Sequence, residues 1–234
     1  MAVLMLAKIA LSPLLAVQAL QVRARALQLP EPDGTRTGQA GQGAPLRLLI
    51  VGDSSAAGVG ASHQTRALTG QLSERLSVQH NFSWQLEAKT GATTALTIAH
   101  LNALPAQAFD AALVVLGVND VTRLVRPKVW LEQQQTLHSL LQHKFEIQHI
   151  YRSGLPPMAH FSLLPQPLRR ILGADAARLD HALAQLCAAS TALTHIPLDL
   201  PFASEYLAED GFHPSEAAYA RWAELLTPHF LKTP

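Results

Sequence analysis

An α/β domain with a parallel sheet held between two layers of helices is what this sequence predicts. Three observations carry the prediction. Short apolar runs that end in glycine, 46–51 before Gly52 and 111–116 before Gly117, have the length and composition of strands buried on both faces. Between such runs lie segments whose apolar residues recur at helical spacing. The two kinds of segment alternate along the chain, which is the order that builds parallel sheets from βαβ units.

Each element follows from its own pattern. Five strands are expected. They are 46–51; 82–88, where Phe82, Trp84, Leu86 and Ala88 alternate with other residues; 111–116; 145–151; and 193–198. Helices are expected over 64–77, 95–104, 128–143 and 174–189. A last helix runs from Ser215, with Ala218, Trp222, Leu225 and Leu226 on one apolar face. In 174–189, Leu179, Ala182, Leu183, Leu186 and Cys187 share a face. The single cysteine therefore reads as a small buried hydrophobe, and no intrachain disulfide can form. Residues 30–45 hold Pro, Gly, Asp and Thr with almost nothing apolar, and read as a linker. The compact domain is expected to span 46–234.

The chain has 234 residues, enough for one such domain and a short N-terminal extension. Hydrophobic residues make up 48%, which supplies a full core, and charged residues only 15%, which leaves the surface to Gln, Ser, Thr and Ala. With a net charge of +1 and no block of like charges, a basic nucleic-acid-binding field is excluded. There is no Gly-rich phosphate loop of the Walker type, and the histidines have no metal-ligand spacing. No cofactor and no metal are expected.

The segment 1–29 admits three readings. Residues 2–20 are mostly apolar, interrupted by Lys8 and Pro13. They fit a signal peptide cut after Ala19, an anchor that spans a bilayer, or a helix that lies on a membrane or packs on the domain. Arg23 and Arg25 follow directly, and basic residues tend to stay on the cytoplasmic side. They favour membrane association facing the cytoplasm over a secreted or periplasmic location.

Four short motifs carry chemistry. Gly52-Asp53-Ser54-Ser55 follows the first strand, and a serine on such a turn projects its hydroxyl above the sheet edge. Thr90-Gly91-Ala92 follows the second strand, where Gly91 offers a backbone N–H. Gly117-Val118-Asn119-Asp120 follows the third, and Asn119 has an amide that can donate to an oxyanion. Asp210-Gly211-Phe212-His213-Pro214 precedes the last helix; Pro214 suits its first position, and Asp210 is near enough to reach a ring nitrogen of His213. Singly, each motif reads as a turn or a helix cap. Together they provide what acyl transfer needs: a nucleophile (Ser54), a base (His213), a group that orients the base (Asp210), and oxyanion donors (Ser54 N–H, Gly91 N–H and the Asn119 amide). All fall where parallel sheets bind ligands, beyond the carboxyl ends of the strands.

On these residues the chain resembles the SGNH/GDSL hydrolases, whose four letters are matched in order by Ser54, Gly91, Asn119 and His213 over roughly residues 46–231. The resemblance implies a flavodoxin-like three-layer α/β/α sandwich and a Ser-His-Asp triad with the aspartate three residues before the histidine, as Asp210 is. Ser55 stands where the name-giving motif has leucine. The implied activity is hydrolysis of carboxylic esters, acyl or lysophospholipid-like, through an acyl-enzyme. The alternatives are a carbohydrate O-acetylesterase or thioesterase on the same site, and a catalytically silent membrane-associated binding module. The apolar, Pro-rich stretch 154–172 reads equally as an acyl-pocket lining and as a packed connection. Arg169 and Arg170 follow within it, near enough to meet a lipid phosphate. Only 6% of the residues are aromatic, which weighs against a sugar platform.

Overall fold

The computed structural model describes residues 10–201 and 203–231. The first nine residues of the apolar segment, Lys8 among them, lie outside the described residues. Six strands form one sheet: β1 (Thr37–Ala40), β2 (Ala44–Gly52), β3 (His80–Ala88), β4 (Ala111–Val115), β5 (His149–Ser153) and β6 (Leu193–Ile196). Their order across the sheet is β1-β3-β2-β4-β5-β6. All neighbours are parallel except β1, which runs antiparallel to β3 along the edge.

The sheet thus has six strands rather than the expected five, and it is not wholly parallel. The extra strand comes from the stretch read as a linker. Its residues, Thr-Gly-Gln-Ala, have no apolar alternation to betray a strand; β1 forms by pairing Thr37 with Gln85 through to Ala40 with Phe82. Gly38 sits flat against the Trp84 ring, where a Cβ would lie 2.2 Å from the ring.

Successive residues of β2 point to opposite faces, and each face has its own core. Leu48 and Ile50 join Phe82, Leu113, Leu72, Trp222 and Phe230 under α3 (Leu68–Leu76) and α8 (Glu216–Phe230). Leu49 and Val51 join Val114, Ile150, Leu101, Leu137 and Phe145 under α4 (Thr94–Ala103) and α6 (Pro127–Lys144). The result is a three-layer α/β/α sandwich. A third apolar cluster gathers around α7 (Leu168–Ala188), where Cys187 is buried beside Leu183 and Leu179.

Helix α1 (Ser12–Arg25) lies against this third cluster through Leu15 and Val22. Gln18, on the same stripe, donates to the Gln166 carbonyl at 2.6 Å and accepts from the Leu168 N–H at 3.2 Å. Its other face leaves Leu14, Val17 and Leu20 between 45% and 68% exposed. No described helix is long and apolar enough to cross a membrane.

Candidate active site

β2 ends at Gly52, which pairs with Ala88 of β3 on one side and Val115 of β4 on the other. Whatever follows these three strands therefore emerges at one edge of the sheet. β2 is also where the strand order turns back, the position at which open α/β sheets form a crevice.

Ser54 opens α2 (Ser54–Ala57), a single turn of helix. The strand-to-helix turn is tight because Gly52 has no side chain: a Cβ there would stand 2.3 Å from the Ala56 Cβ and 2.6 Å from the Val115 carbonyl oxygen. Asp53 caps the turn, its Oδ1 accepting from the Ser55 N–H at 3.0 Å. It is buried, and burial, only partly offset by that hydrogen bond and by His213, pushes its carboxyl up to about 7.

His213 arrives from the other end of the domain. Ser215 caps α8, which begins at Glu216, so Pro214 stands before the cap and not at the first helical position. The turn is held instead by backbone pairing: Ala208 N–H donates to the His213 carbonyl at 2.8 Å, and Ser215 N–H to the Tyr206 carbonyl at 3.1 Å. Asp210 fixes it further, Oδ1 accepting from the Phe212 and His213 N–H groups at 2.9 Å each. Its other oxygen, Oδ2, meets His213 Nδ1 at 2.5 Å. His213 Nε2 lies 2.9 Å from Ser54 Oγ. With the proton on Nδ1, donated to Asp210, Nε2 is left to accept the serine hydroxyl. Burial raises the Asp210 carboxyl, but the hydrogen bonds from His213 and Phe212 outweigh it and hold the group below the usual carboxylate range. That group stays ionised and can stabilise an imidazolium.

The three expected oxyanion donors lie on neighbouring turns. Gly91 has φ +77°, a backbone state that side chains disfavour, although a Cβ there would find space, with Arg123 Nη2 as its nearest neighbour at 4.0 Å. Neither the Ser54 nor the Gly91 N–H meets a protein acceptor among the described residues. Asn119 lies on α5 (Val118–Thr122) and is already engaged: Nδ2 donates to the Ala92 carbonyl at 3.0 Å and stands 3.5 Å from Asp53 Oδ2. This orients the amide and ties the turn after β4 to the turn after β3. Arg123 adds a second tie, Nη2 donating to the Gly91 carbonyl at 3.0 Å.

Ser54 opens onto a cleft at this edge of the sheet, partly open to solvent. Gly154, Pro156, Pro157 and Phe161 are among its lining residues, so part of the stretch 154–172 lines the cleft. Arg169 and Arg170 are not among the lining residues. Leu198, Leu200, Pro201, Tyr206 and Leu207 line it as well, as do Ala218 and Trp222 of α8. Most of the lining is apolar, and no Lys or Arg is among its described residues. The lining at 198–201 and 206–207, Asp53 and Arg123 were missed in the sequence. Asp53 alone left a signal there, as the residue before a serine that begins a helix.

Comparison with family models gives a match to the GDSL-like lipase/acylhydrolase family over residues 50–221. The chain belongs to that family. It is an SGNH/GDSL-type ester-cleaving hydrolase. Among solved structures, the SGNH hydrolase resembles TesA at 25% identity and a TM-score of 0.56, over 80% of this chain and 98% of that one. A lipase from a goat rumen metagenome is 19% identical with a TM-score of 0.62, over 78% and 96%. An extracellular lipase from Streptomyces rimosus is 15% identical with a TM-score of 0.61, over 81% and 100%. The two lipases attest the fold. No curated protein matches.

Proposed function

We propose that the enzyme hydrolyses carboxylic esters with an apolar acyl group, acyl or lysophospholipid-like, through an acyl-enzyme on Ser54. The observation that carries this reading is the line Asp210–His213–Ser54, at 2.5 and 2.9 Å, opening on a mostly apolar cleft. Ser54 Oγ attacks the ester carbonyl while its proton passes to His213 Nε2. The oxyanion is received by the Ser54 and Gly91 N–H groups and the Asn119 amide. Collapse of the adduct breaks the bond to the alcohol, which leaves with the proton from His213. A water then attacks the acyl-enzyme by the same route and releases the acid.

The apolar cleft supports an acyl chain over the sugar O-acetyl group that the rival reading requires. A panel of p-nitrophenyl esters from acetate to palmitate, run with wild type and Ser54→Ala, tests it. The expected result is Ser54-dependent turnover rising in kcat/KM from acetate to a medium-chain ester. Activity confined to acetate and acetylated sugars favours the O-acetylesterase, greater activity on thioesters the thioesterase, and no turnover the silent module.

Helix α1 supports a place at a lipid surface. One stripe of it is committed to the domain through Leu15, Gln18 and Val22, while Leu14, Val17 and Leu20 face outward, followed by Arg23 and Arg25. We assign this exposed apolar face, with the two arginines at its end, to a lipid surface. We place that surface on the cytoplasmic side, from the two arginines.

A further inference from the structure

A buried carboxylate stands directly behind the expected oxyanion donors. Asp120 follows Asn119 on α5 and has no exposed surface. A carboxylate cut off from water needs donors. Both of its oxygens accept from the Thr94 N–H at 3.2 Å, and Oδ2 accepts the Thr94 hydroxyl at 2.8 Å. Thr94 opens α4, a helix of ten residues, three positions after Gly91. The carboxyl therefore sits at a helix N-terminus, where unpaired N–H groups and the helix dipole favour its charged form against the burial that raises it.

The donors continue beneath Thr94. Its hydroxyl accepts from Gln134 Nε2 at 2.9 Å, and Gln134 Oε1 accepts from Arg152 Nη2 at 2.6 Å. Arg152, Gln134, Thr94 and Asp120 are all at 0% exposure. Every donor in this series points the same way, from the guanidinium towards the carboxylate, so each bond polarises the next. The Thr94 hydroxyl has one orientation that satisfies both neighbours. Asn119 and Arg123 grip the same turn at the Ala92 and Gly91 carbonyls.

We infer that Asp120 is a positioning residue: through Thr94 it staples the turn carrying Gly91 to the helix carrying Asn119, holding the two oxyanion donors at a fixed separation. The inference rests on the ester hydrolysis proposed above. Asp120 touches no reacting atom in this account. Its effect appears in the transition state, because donors aimed at a developing charge lose their value when they are displaced by a fraction of an ångström.

Thr94→Val removes the hydroxyl at nearly constant shape, Thr94→Ser restores it, and Asp120→Asn puts a donor where the hydroxyl needs an acceptor. Each variant is measured on a p-nitrophenyl ester for kcat and KM per folded molecule, for Tm, and for inhibition by an alkyl boronic acid, which forms a tetrahedral adduct on the serine. The expected result is a kcat lower by about 10–100-fold in Thr94→Val and Asp120→Asn, with KM within about twofold. Boronate affinity falls in parallel, and Thr94→Ser stays near wild type. A Thr94→Val enzyme with wild-type kcat per folded molecule overturns the inference, whatever its Tm. If Asp120→Asn does not fold, the Val and Ser pair decides. Failure of the underlying reading looks different: there, wild type itself lacks Ser54-dependent turnover.

Discussion

Asp53 illustrates how one residue serves two ends at different cost. Its carboxyl caps the turn that carries Ser54 and faces the Asn119 amide, yet it is buried and held at about 7 against an ordinary 3.8. A carboxyl raised in the folded state adds its full stability below its unfolded value and loses it as the pH climbs through its folded value. Asp53 therefore withdraws stability between about pH 4 and 7. Asp53→Asn is expected to melt roughly 2–4 °C above wild type at pH 8, the size of about 1 kcal/mol in a chain this long, with the gain shrinking by pH 5. Its kcat falls, since the asparagine presents a second amide to Asn119. Thermal melts at the two pH values check the sign; a lower Tm at pH 8 refutes it. Asn119→Ala should lower kcat by about 10²–10³ with little change in KM, as a donor to the oxyanion does. A variant that mainly raises KM would make Asn119 a substrate-binding group. Ser54, Gly91, Asn119, Asp210 and His213 were legible in the sequence because each lies on a turn that punctuates an apolar run. Asp120, Thr94, Gln134 and Arg152 were not, because their contacts span 26, 40 and 18 residues and follow no local pattern.

At the scale of elements, pattern was informative where burial was one-sided or complete, and silent elsewhere. The runs at 46–51 and 111–116 became β2 and β4 since nothing but a sheet core accommodates them. β1 has no such run; its partner strand creates it. The strand expected at 145–151 forms at His149–Ser153, because Phe145 and Ile147 close the core at the end of α6 and leave the pairing to the residues that follow. The cleft lining at 198–201 and 206–207 lies outside any strand or long helix, so no periodicity foretold it. Helix α1 is the element with two partners in this account, the domain on one face and a lipid surface on the other. Flotation with vesicles containing anionic lipid should carry the full chain upward, and Leu14→Gln with Leu20→Gln should leave it at the bottom with unchanged turnover of short soluble esters. Equal flotation of the double variant would remove the lipid surface from the account.

Across the whole molecule, the sheet brings together residues that are far apart in the chain. Ser54 and His213 are separated by 159 positions and meet at 2.9 Å. β2 and α2 deliver Ser54, the turns after β3 and β4 bring Gly91 and Asn119, and the loop before α8 supplies His213, while residues after β5 and β6 line the cleft. The central claim is that this meeting is the reacting centre, and covalent labelling tests it most directly. A fluorophosphonate reacts only with an activated serine. Mass spectrometry of the labelled protein should place the adduct on Ser54 alone, with labelling abolished in Ser54→Ala and slowed at least 10²-fold in His213→Ala, since triad members act as a unit. An adduct on another serine, or labelling of His213→Ala at the wild-type rate, would contradict the account.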